Sequence, residues 1–400
     1  MKILWVKSDF LHPTTKGGHI RTLEMLRRLH KRHEVHYVAF NDARQPEGLA
    51  RSVEYSSRAY PVVHDVPPRR SLKFVGQLMQ GVWSPLPVSI NRYRSGQMTS
   101  VIGNLLQSER FDAVVCDFLT PAVNFDSLKD VVLFQHNVES VIWDRHASTA
   151  SNPVAKWYFG LQAARMRDWE GRVCRQVRHI IAVSRQDAVR MTKMFGVTNV
   201  SDVPTGVDLE YFAPAAPAPH IADLVFVGSM DWLPNIDGMR FFVGEVLPLI
   251  RKYRPDCSLA IVGRLPTPEI AGYAATDSKI TVTGTVPDVR PYLWGSSVSI
   301  VPLRIGGGTR LKIYEAVAAK VPVVSTTIGA EGLDIMAPAH FRLADTAQGF
   351  ADACLGLLED AEDRTRLAAA AWETVASRFS WESVTQQFEA VLESYPVKVE

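Results

Sequence analysis

The chain has 400 residues, 46% hydrophobic and 22% charged, with a formal net charge of +2. That length is too great for one ordinary core and favours two domains, and the near-balanced charge gives no reason to expect nucleic acid as a partner. Four cysteines, Cys116, Cys174, Cys257 and Cys354, lie far apart without CxxC spacing, which argues against a disulfide framework or zinc knuckle and suits a reducing compartment.

The first apolar run, "KILWVKS", is broken by Lys7 and Asp9 and reads as a strand rather than a signal peptide. No run of about 18 apolar residues is present to span a membrane, so a cytoplasmic protein is expected. "GGHIRTLEMLRRLHKRH" follows, with Ile20, Leu23, Leu26 and Leu29 at helical spacing. "EVHYVAF", "FDAVVCDF", "DVVLFQHN" and "HIIAVSR" are further strands. They are almost wholly apolar, as strands of a parallel sheet covered on both faces should be. Strand–helix alternation predicts a doubly wound α/β domain over residues 1–212.

"APAAPAPH", Ala213 to His220, cannot form a helix or a central strand and reads as a linker. The pattern then restarts. "ADLVFVGS", "CSLAIVGR", "KITVTGT", "VSIVPL", "VPVVSTT" and "HFRLA" are strands, with helices between them such as "NIDGMRFFVGEVLPLIRKY". This predicts a second α/β domain over residues 213–379. The tail from Arg364 reads as helical with a break at "FSW", and a last helix at about residues 380–396 is expected to pack back across the first domain.

In doubly wound sheets ligands bind beyond the carboxyl ends of the strands. Four segments stand there. "SDFLHPTTKGGHIR" offers Gly17 and Gly18 at a helix start, where free N–H groups suit a phosphate or carboxylate, or simply make a tight turn. It does not fit GxGxxG, which disfavours a nicotinamide or flavin dinucleotide. "LFQHNVES" ends a strand on His136, Asn137 and Glu139. His136 there either faces a ligand or caps the next helix. "VPTGVDLEYF" places Gly206 and Asp208 in a turn before the linker, where they either touch a ligand or merely turn the chain.

The fourth segment, "RIGGGTRLKIYEAVAAKVPVV", follows "VTGTVPDVRPYLWGSSVSIVPL". Gly306 to Thr309 open a helix. Ile313 and Val317 form an i, i+4 pair that can face the sheet. Arg310 and Lys312 occupy the first turn, where the helix dipole disfavours cations. A bound polyanion removes that conflict. The plain alternative is a solvated basic turn.

Taken together, "KGGHIR", "HNVES", "PTGVD", "GTVPDVRPYL" and "KIYEAVAAKVPVVSTTIGAEGL" resemble the GT-B glycosyltransferases of family 4, in order along essentially the whole chain. The resemblance implies two Rossmann-like domains facing a central cleft. It implies a retaining transferase that uses a nucleotide-diphosphate sugar, UDP- or GDP-type, without a cofactor or an essential metal. The second domain would bind the donor. Glu315 would take the ribose hydroxyls and Gly284 to Val286 would lie beside the base. The glycine-rich turn with Gly307, Gly308 and Thr309, and Gly17 with Gly18, would approach the diphosphate from opposite sides of the cleft, and Gly206 and Gly228 would also border the donor. His136 would lie near the donor sugar and the attacking acceptor, with Asn137 and Glu139 on the acceptor.

The chain also departs from that family. A second Glu is usual eight residues before the one matching Glu315, and Gly307 stands there. An Arg and a Lys are usual after the first strand of the donor domain, but "VGSMDWLPNIDG" has no cation between Gly228 and Gly238. Arg310 and Lys312 are expected to replace them. Lys320 stands where a Gly is usual, at a cost of roughly 1 kcal/mol if the site is left-handed.

Charge growing on the departing oxygen calls for fixed donors, namely backbone N–H groups, Arg and Lys. No carboxylate is placed as a nucleophile, which agrees with a front-face retaining route, and domain closure would exclude water. The acceptor would be a glycan, a lipid-linked molecule or a small molecule, in cell-surface polysaccharide, glycolipid or natural-product biosynthesis. Pro67 to Arg94 mixes Arg69, Arg70, Lys73, Arg92 and Arg94 with Phe74, Val75, Leu78, Met79 and Trp83. Lys156 to Arg178 is similar. Such a surface can touch an anionic membrane, or be a packed helix with solvated cations. Two alternatives stay open: a nucleotide-sugar 2-epimerase on the same fold, and a non-catalytic sugar-nucleotide binding protein.

Overall fold

A computed structural model describes residues 1–14, 17–64, 76, 78, 81, 83–149, 152–214, 218–305 and 311–397. Their contacts divide the chain into two compact units, Met1–Pro204 with Val384–Glu400, and Thr205–Ser383. None of the described helices is long and apolar enough to cross a membrane.

The first unit holds a seven-stranded sheet. Its strands are β1 (Lys2–Val6), β2 (Glu34–Asn41), β3 (Arg58–Val63), β4 (Ala113–Asp117), β5 (Val131–Gln135), β6 (His179–Ala182) and β7 (Val200–Asp202), in the order β3-β2-β1-β4-β5-β6-β7. Every pairing is parallel. β4 and β5 are buried at each position, as their apolar runs, Ala113 to Cys116 and Val131 to Phe134, require of strands covered on both faces. β3 and β7 do not read as strands in the sequence. β3 is an edge strand that carries Pro61, a residue a central strand excludes because it cannot donate to the ladder.

Helix α1 (Gly17–Leu29) follows β1, α2 (Glu139–Thr149) follows β5, and α3 (Pro153–Gln176) comes next. β1 lies between β2 and β4, so chain order reverses there. That reversal opens a crevice at the carboxyl ends of β1 and β4.

The second unit has a six-stranded parallel sheet: β8 (Ala222–Val227), β9 (Leu259–Val262), β10 (Ile280–Val282), β11 (Ser296–Val301), β12 (Val323–Ser325) and β13 (Arg342–Leu343). Their order is β10-β9-β8-β11-β12-β13, with the reversal between β8 and β11. Helix α4 (Leu233–Phe241) follows β8 and α5 (Leu311–Ala318) follows β11. The single helix expected over residues 235–253 is instead α4, a π turn at Phe242–Val246, and a further helix, Leu247–Tyr253. Pro248 enters at that step and supplies no N–H to the ladder.

The sequence-based boundary between residues 212 and 213 lies inside the second unit. Val207 forms a parallel bridge with Ser380, and a Cβ on Gly206 would come 2.5 Å from the Trp381 ring. The segment from residue 205 is therefore anchored to the second core. Helix α6 (Ala361–Arg378) ends at Phe379, and α7 (Trp381–Ser394) begins two residues later. Along α7, Phe388 packs on Trp5 and Phe134 at 5.6 and 5.0 Å, and Glu389 pairs with Arg32 and His33 at 2.6 and 2.7 Å.

Candidate functional site

In the first unit the sheet order brings the ends of β1, β4 and β5 side by side, where β4 ends on Asp117, β5 on Gln135, and Lys7 directly follows β1. Asp117, at the end of β4, is fully buried. It accepts hydrogen bonds from Trp5 Nε1 at 2.9 Å, Thr22 Oγ1 at 2.7 Å and Lys7 Nζ at 2.8 Å. His136 Nε2 lies 2.8 Å from its Oδ1, off the line of a ring N–H. An ionised carboxylate accepts at both oxygens and suits this setting. Burial acts to raise the Asp117 carboxyl, but the Lys7 ammonium and His136 outweigh it and hold it well below the usual range. Burial, opposed by Asp117, pushes His136 down to about 3, so the imidazole is neutral near pH 7.

With Nε2 turned to a carboxylate, the proton is assigned to that nitrogen and Nδ1 is left as an acceptor. Nδ1 is buried and has no hydrogen-bond partner among the described residues. His136 is stacked under Phe118 at 4.2 Å, and Phe118 holds a left-handed backbone with φ 79°. A Cβ on Gly18 would come 3.1 Å from the Phe118 ring and 3.5 Å from His136 Nδ1. The first turn of α1 thus needs a glycine to approach His136, and the structure brings those two expected site residues together. Gly17 is the exposed first residue of α1.

The start of α2 has a different occupant. Glu170 of α3 is buried and accepts from Glu139 N at 2.9 Å, Ser140 N at 2.8 Å and Gln135 Nε2 at 2.8 Å. The carboxylate that caps this helix comes from the chain itself, so His136 is not the cap. Glu139 is half-buried, and burial with the adjacent Glu170 pushes its carboxyl up to about 7, against Asn137.

In the second unit the corresponding reversal lies between β8 and β11. The loop after β8 runs from Gly228 to Trp232. Lys312, in the first turn of α5, reaches back to it. Its Nζ is 2.9 Å from Asn235 Oδ1 and 4.3 Å from the centre of the Phe226 ring. A Cβ on Gly228 would meet Lys312 Nζ at 2.9 Å and Asn235 Nδ2 at 2.8 Å. Gly228 therefore makes room for an ammonium at the end of the central strand. Arg264, just past the end of β9, donates to Ser229 Oγ at 2.7 Å in the same loop.

Glu315 lies one turn along α5 from Lys312. It is half-buried, and burial, opposed by Lys312, raises its carboxyl above the usual value. Gly284, at the end of β10, has φ 66°, a left-handed turn that only glycine makes freely. Val286 beyond it packs against the core. Gly206 is filled by Trp381 rather than by open space. Gly307, Gly308, Thr309 and Arg310 lie outside the described residues. So do residues 67–75, 77, 79, 80 and 82 of the basic, aromatic segment, while Trp83 is 88% exposed.

Both units thus place cations, small residues and a carboxylate at the carboxyl ends of parallel strands, at the two points where strand order reverses. Residues 15–211 match the model of Glycosyltransferase Family 4, and residues 222–360 match that of Glycosyl transferases group 1. The chain belongs to the family 4, group 1 glycosyltransferases, with the GT-B fold. This glycosyltransferase is 21% identical over 343 residues to an uncharacterized 44.6 kDa protein in the cps region of Klebsiella pneumoniae, covering 83% of this chain and 84% of that one. It is 26% identical over 215 residues to a GDP-mannose-dependent monoacylated alpha-(1-6)-phosphatidylinositol monomannoside mannosyltransferase of Corynebacterium glutamicum, covering 48% of this chain and 56% of that one. Its fold matches the crystal structure of Anabaena HepE in complex with UDP at a TM-score of 0.67, with 12% identity, over 98% of this chain and 100% of that one.

Four polar residues of this glycosyltransferase were not singled out in the sequence: Lys7, Asp117, Asn235 and Arg264. Three of them close or follow apolar runs, in "WVKS", "VVCD" and "IVGR". A charged residue ending a buried strand was the available signal.

Proposed function

We propose that this glycosyltransferase moves a sugar from a nucleoside-diphosphate donor held on the Thr205–Ser383 unit to an acceptor hydroxyl, with retention at the anomeric carbon. The observation that carries this reading is Lys312 lodged against Gly228 at the end of β8, one turn before Glu315. A point charge at a strand end, where β8 and β11 part, suits a diphosphate, and a carboxylate accepts the two ribose hydroxyls. Gly284 lets the backbone turn beside the base. The HepE complex with UDP and the GDP-mannose dependence of the Corynebacterium relative support a UDP- or GDP-sugar.

In the reaction the bond from the anomeric carbon to the diphosphate oxygen breaks. The acceptor oxygen bonds to that carbon on the same face, and its proton passes to the departing oxygen. Lys312, and Arg310 with it, stabilise the charge that develops there. No metal or cofactor takes part. Neutral His136 accepts a sugar hydroxyl hydrogen at Nδ1, and Lys7 and Asp117 hold its tautomer. Asn137 and Glu139 meet the acceptor.

The acceptor class is a growing cell-surface glycan or glycolipid. The cps-region relative and the phosphatidylinositol mannoside named for the other favour it. Exposed Trp83, Val154 and Trp157 with Lys156 are suited to the inner face of an anionic membrane. The test is turnover. The purified protein is given a panel of nucleotide sugars with lipid and glycan acceptors, and released nucleoside diphosphate is counted. The reading expects release that depends on acceptor and a product of unchanged anomeric configuration. Release without acceptor, or an inverted product, goes against it.

A further inference from the structure

The loop after β8, Gly228 to Trp232, carries no cation of its own, yet two reach it from different elements. Lys312 comes from α5 and lodges against Gly228. Arg264 comes from β9 and binds the next residue, Ser229, through Nε at 2.7 Å. We propose that Arg264 is the guanidinium partner of Lys312, and that the two grip a nucleoside diphosphate from opposite flanks of this loop. The inference rests on the donor reading above and adds to it a residue that reading did not use.

Three observations carry it. The first is how firmly the Arg264 backbone is fixed. The ladder continues past the strand ends, with Gly228 N donating to Val262 O and Met230 N to Arg264 O, both at 2.9 Å. Arg264 is thereby locked to the loop it serves. The second is the close approach just before it. Gly263 has φ 155°, and a Cβ there would lie 1.8 Å from Gly228 O. Only glycine lets β9 end this near to β8. The third is the residue after it. Leu265 holds a left-handed backbone, φ 52°, while 59% exposed. Strained, exposed backbone on a leucine gains nothing in packing. Such backbone clusters at ligand-binding sites, and here it directly follows Arg264.

The chemistry fits an anion. Arg264 is half-exposed, and its fork can meet two phosphate oxygens at once, which a lysine cannot do. The other charged group at the loop is Asp231. It accepts from Ser229 Oγ at 2.6 Å and lies 3.9 Å from an Arg264 terminal nitrogen. An exposed pair at that distance is weak and leaves the guanidinium available. Asp231 repels a diphosphate, so its removal should tighten binding rather than loosen it. An Arg264 that served only as a surface ion pair would give the reverse dependence, or none.

The experiment is calorimetric titration of the full chain with UDP, GDP, ADP and dTDP and with the parent nucleosides. Wild type, Arg264→Lys, Arg264→Met and Asp231→Asn are compared. The preference for a diphosphate over its nucleoside should fall about tenfold or more in Arg264→Met, be partly kept in Arg264→Lys, and rise in Asp231→Asn. Nucleoside affinity should stay as in wild type in all four proteins. If wild type prefers its diphosphate and Arg264→Met keeps that preference in full, the role of Arg264 is wrong while the donor reading stands. If wild type itself shows no preference for any diphosphate, the donor reading falls and this inference with it. Equal losses of nucleoside and diphosphate affinity in Arg264→Met would mark a general disturbance of the loop and also overturn it.

Discussion

Asp117 Oδ1 lies 2.8 Å from Lys7 Nζ and 2.8 Å from His136 Nε2, so one buried carboxylate ties together the ends of β1, β4 and β5. Removing the charge strands a buried ammonium. Breaking such a pair on one side typically costs about 3–5 kcal/mol. Asp117→Asn is isosteric and should lose stability on that scale in urea denaturation at pH 7. A loss under about 1 kcal/mol would mean that water or movement relieves Lys7, and the network would then be peripheral.

His136 gives a pH signature. Its folded value, about 3, is depressed below the unfolded value of roughly 6.5. Between those values the unfolded chain binds the extra proton, so this term is fully present above about pH 6.5 and is lost as pH falls toward 3. His136→Asn should therefore flatten the loss of unfolding free energy between pH 7 and 5, read by urea midpoints. An unchanged slope would contradict the buried neutral imidazole.

Glu139 acts with the opposite sign over part of the same range. Its folded value, about 7, is raised above the unfolded value of roughly 4.3. Its stabilisation is present below about pH 4.3 and disappears as pH rises through 7. Glu139→Gln should be more stable than wild type at pH 8 and lose that advantage by pH 5. An advantage that is constant across pH would point to packing instead of charge.

Lys320 holds φ 58°, and its ammonium lies 5.1 Å from the Trp372 ring centre. The left-handed backbone costs a lysine roughly 1 kcal/mol, while the cation–π contact returns about 0.5 kcal/mol. Lys320→Gly should gain a few tenths of a kcal/mol alone, and close to the full amount in a Trp372→Leu background. A net loss in both backgrounds would show that the backbone is not strained.

Much of the fold is legible in the residues, and the reasons are local. Runs such as Val131–Gln135 and Ala222–Val227 announce buried parallel strands. β3 hides because Pro61 and its exposed residues spoil the pattern on an edge. The helix broken near Phe379 is readable from "FSW". The site is legible only where its groups are neighbours in sequence, as with Lys312 and Glu315. Lys7 and Asp117 are 110 residues apart, and Arg264 and Ser229 are 35 apart. Their meeting depends on strand order, β4 beside β1 and β9 beside β8, which no periodicity encodes. The missing cation after Gly228 is visible as an absence. That Lys312 stands in for it can be proposed from the sequence, but the approach of Arg264 cannot.

The central claim is that the Thr205–Ser383 unit holds a nucleoside-diphosphate donor, with Glu315 on the ribose. Thermal denaturation of wild type and Glu315→Ala, with and without a panel of nucleoside diphosphates and their sugars, tests it most directly. A ligand at about 100 times its Kd stabilises by about 2.7 kcal/mol, a shift of roughly 5–11 °C for a domain of this size. At least one nucleoside diphosphate should raise the Tm of wild type, and that shift should be lost or much reduced in Glu315→Ala. A panel with no shift in wild type, or an equal shift in both proteins, would contradict the account.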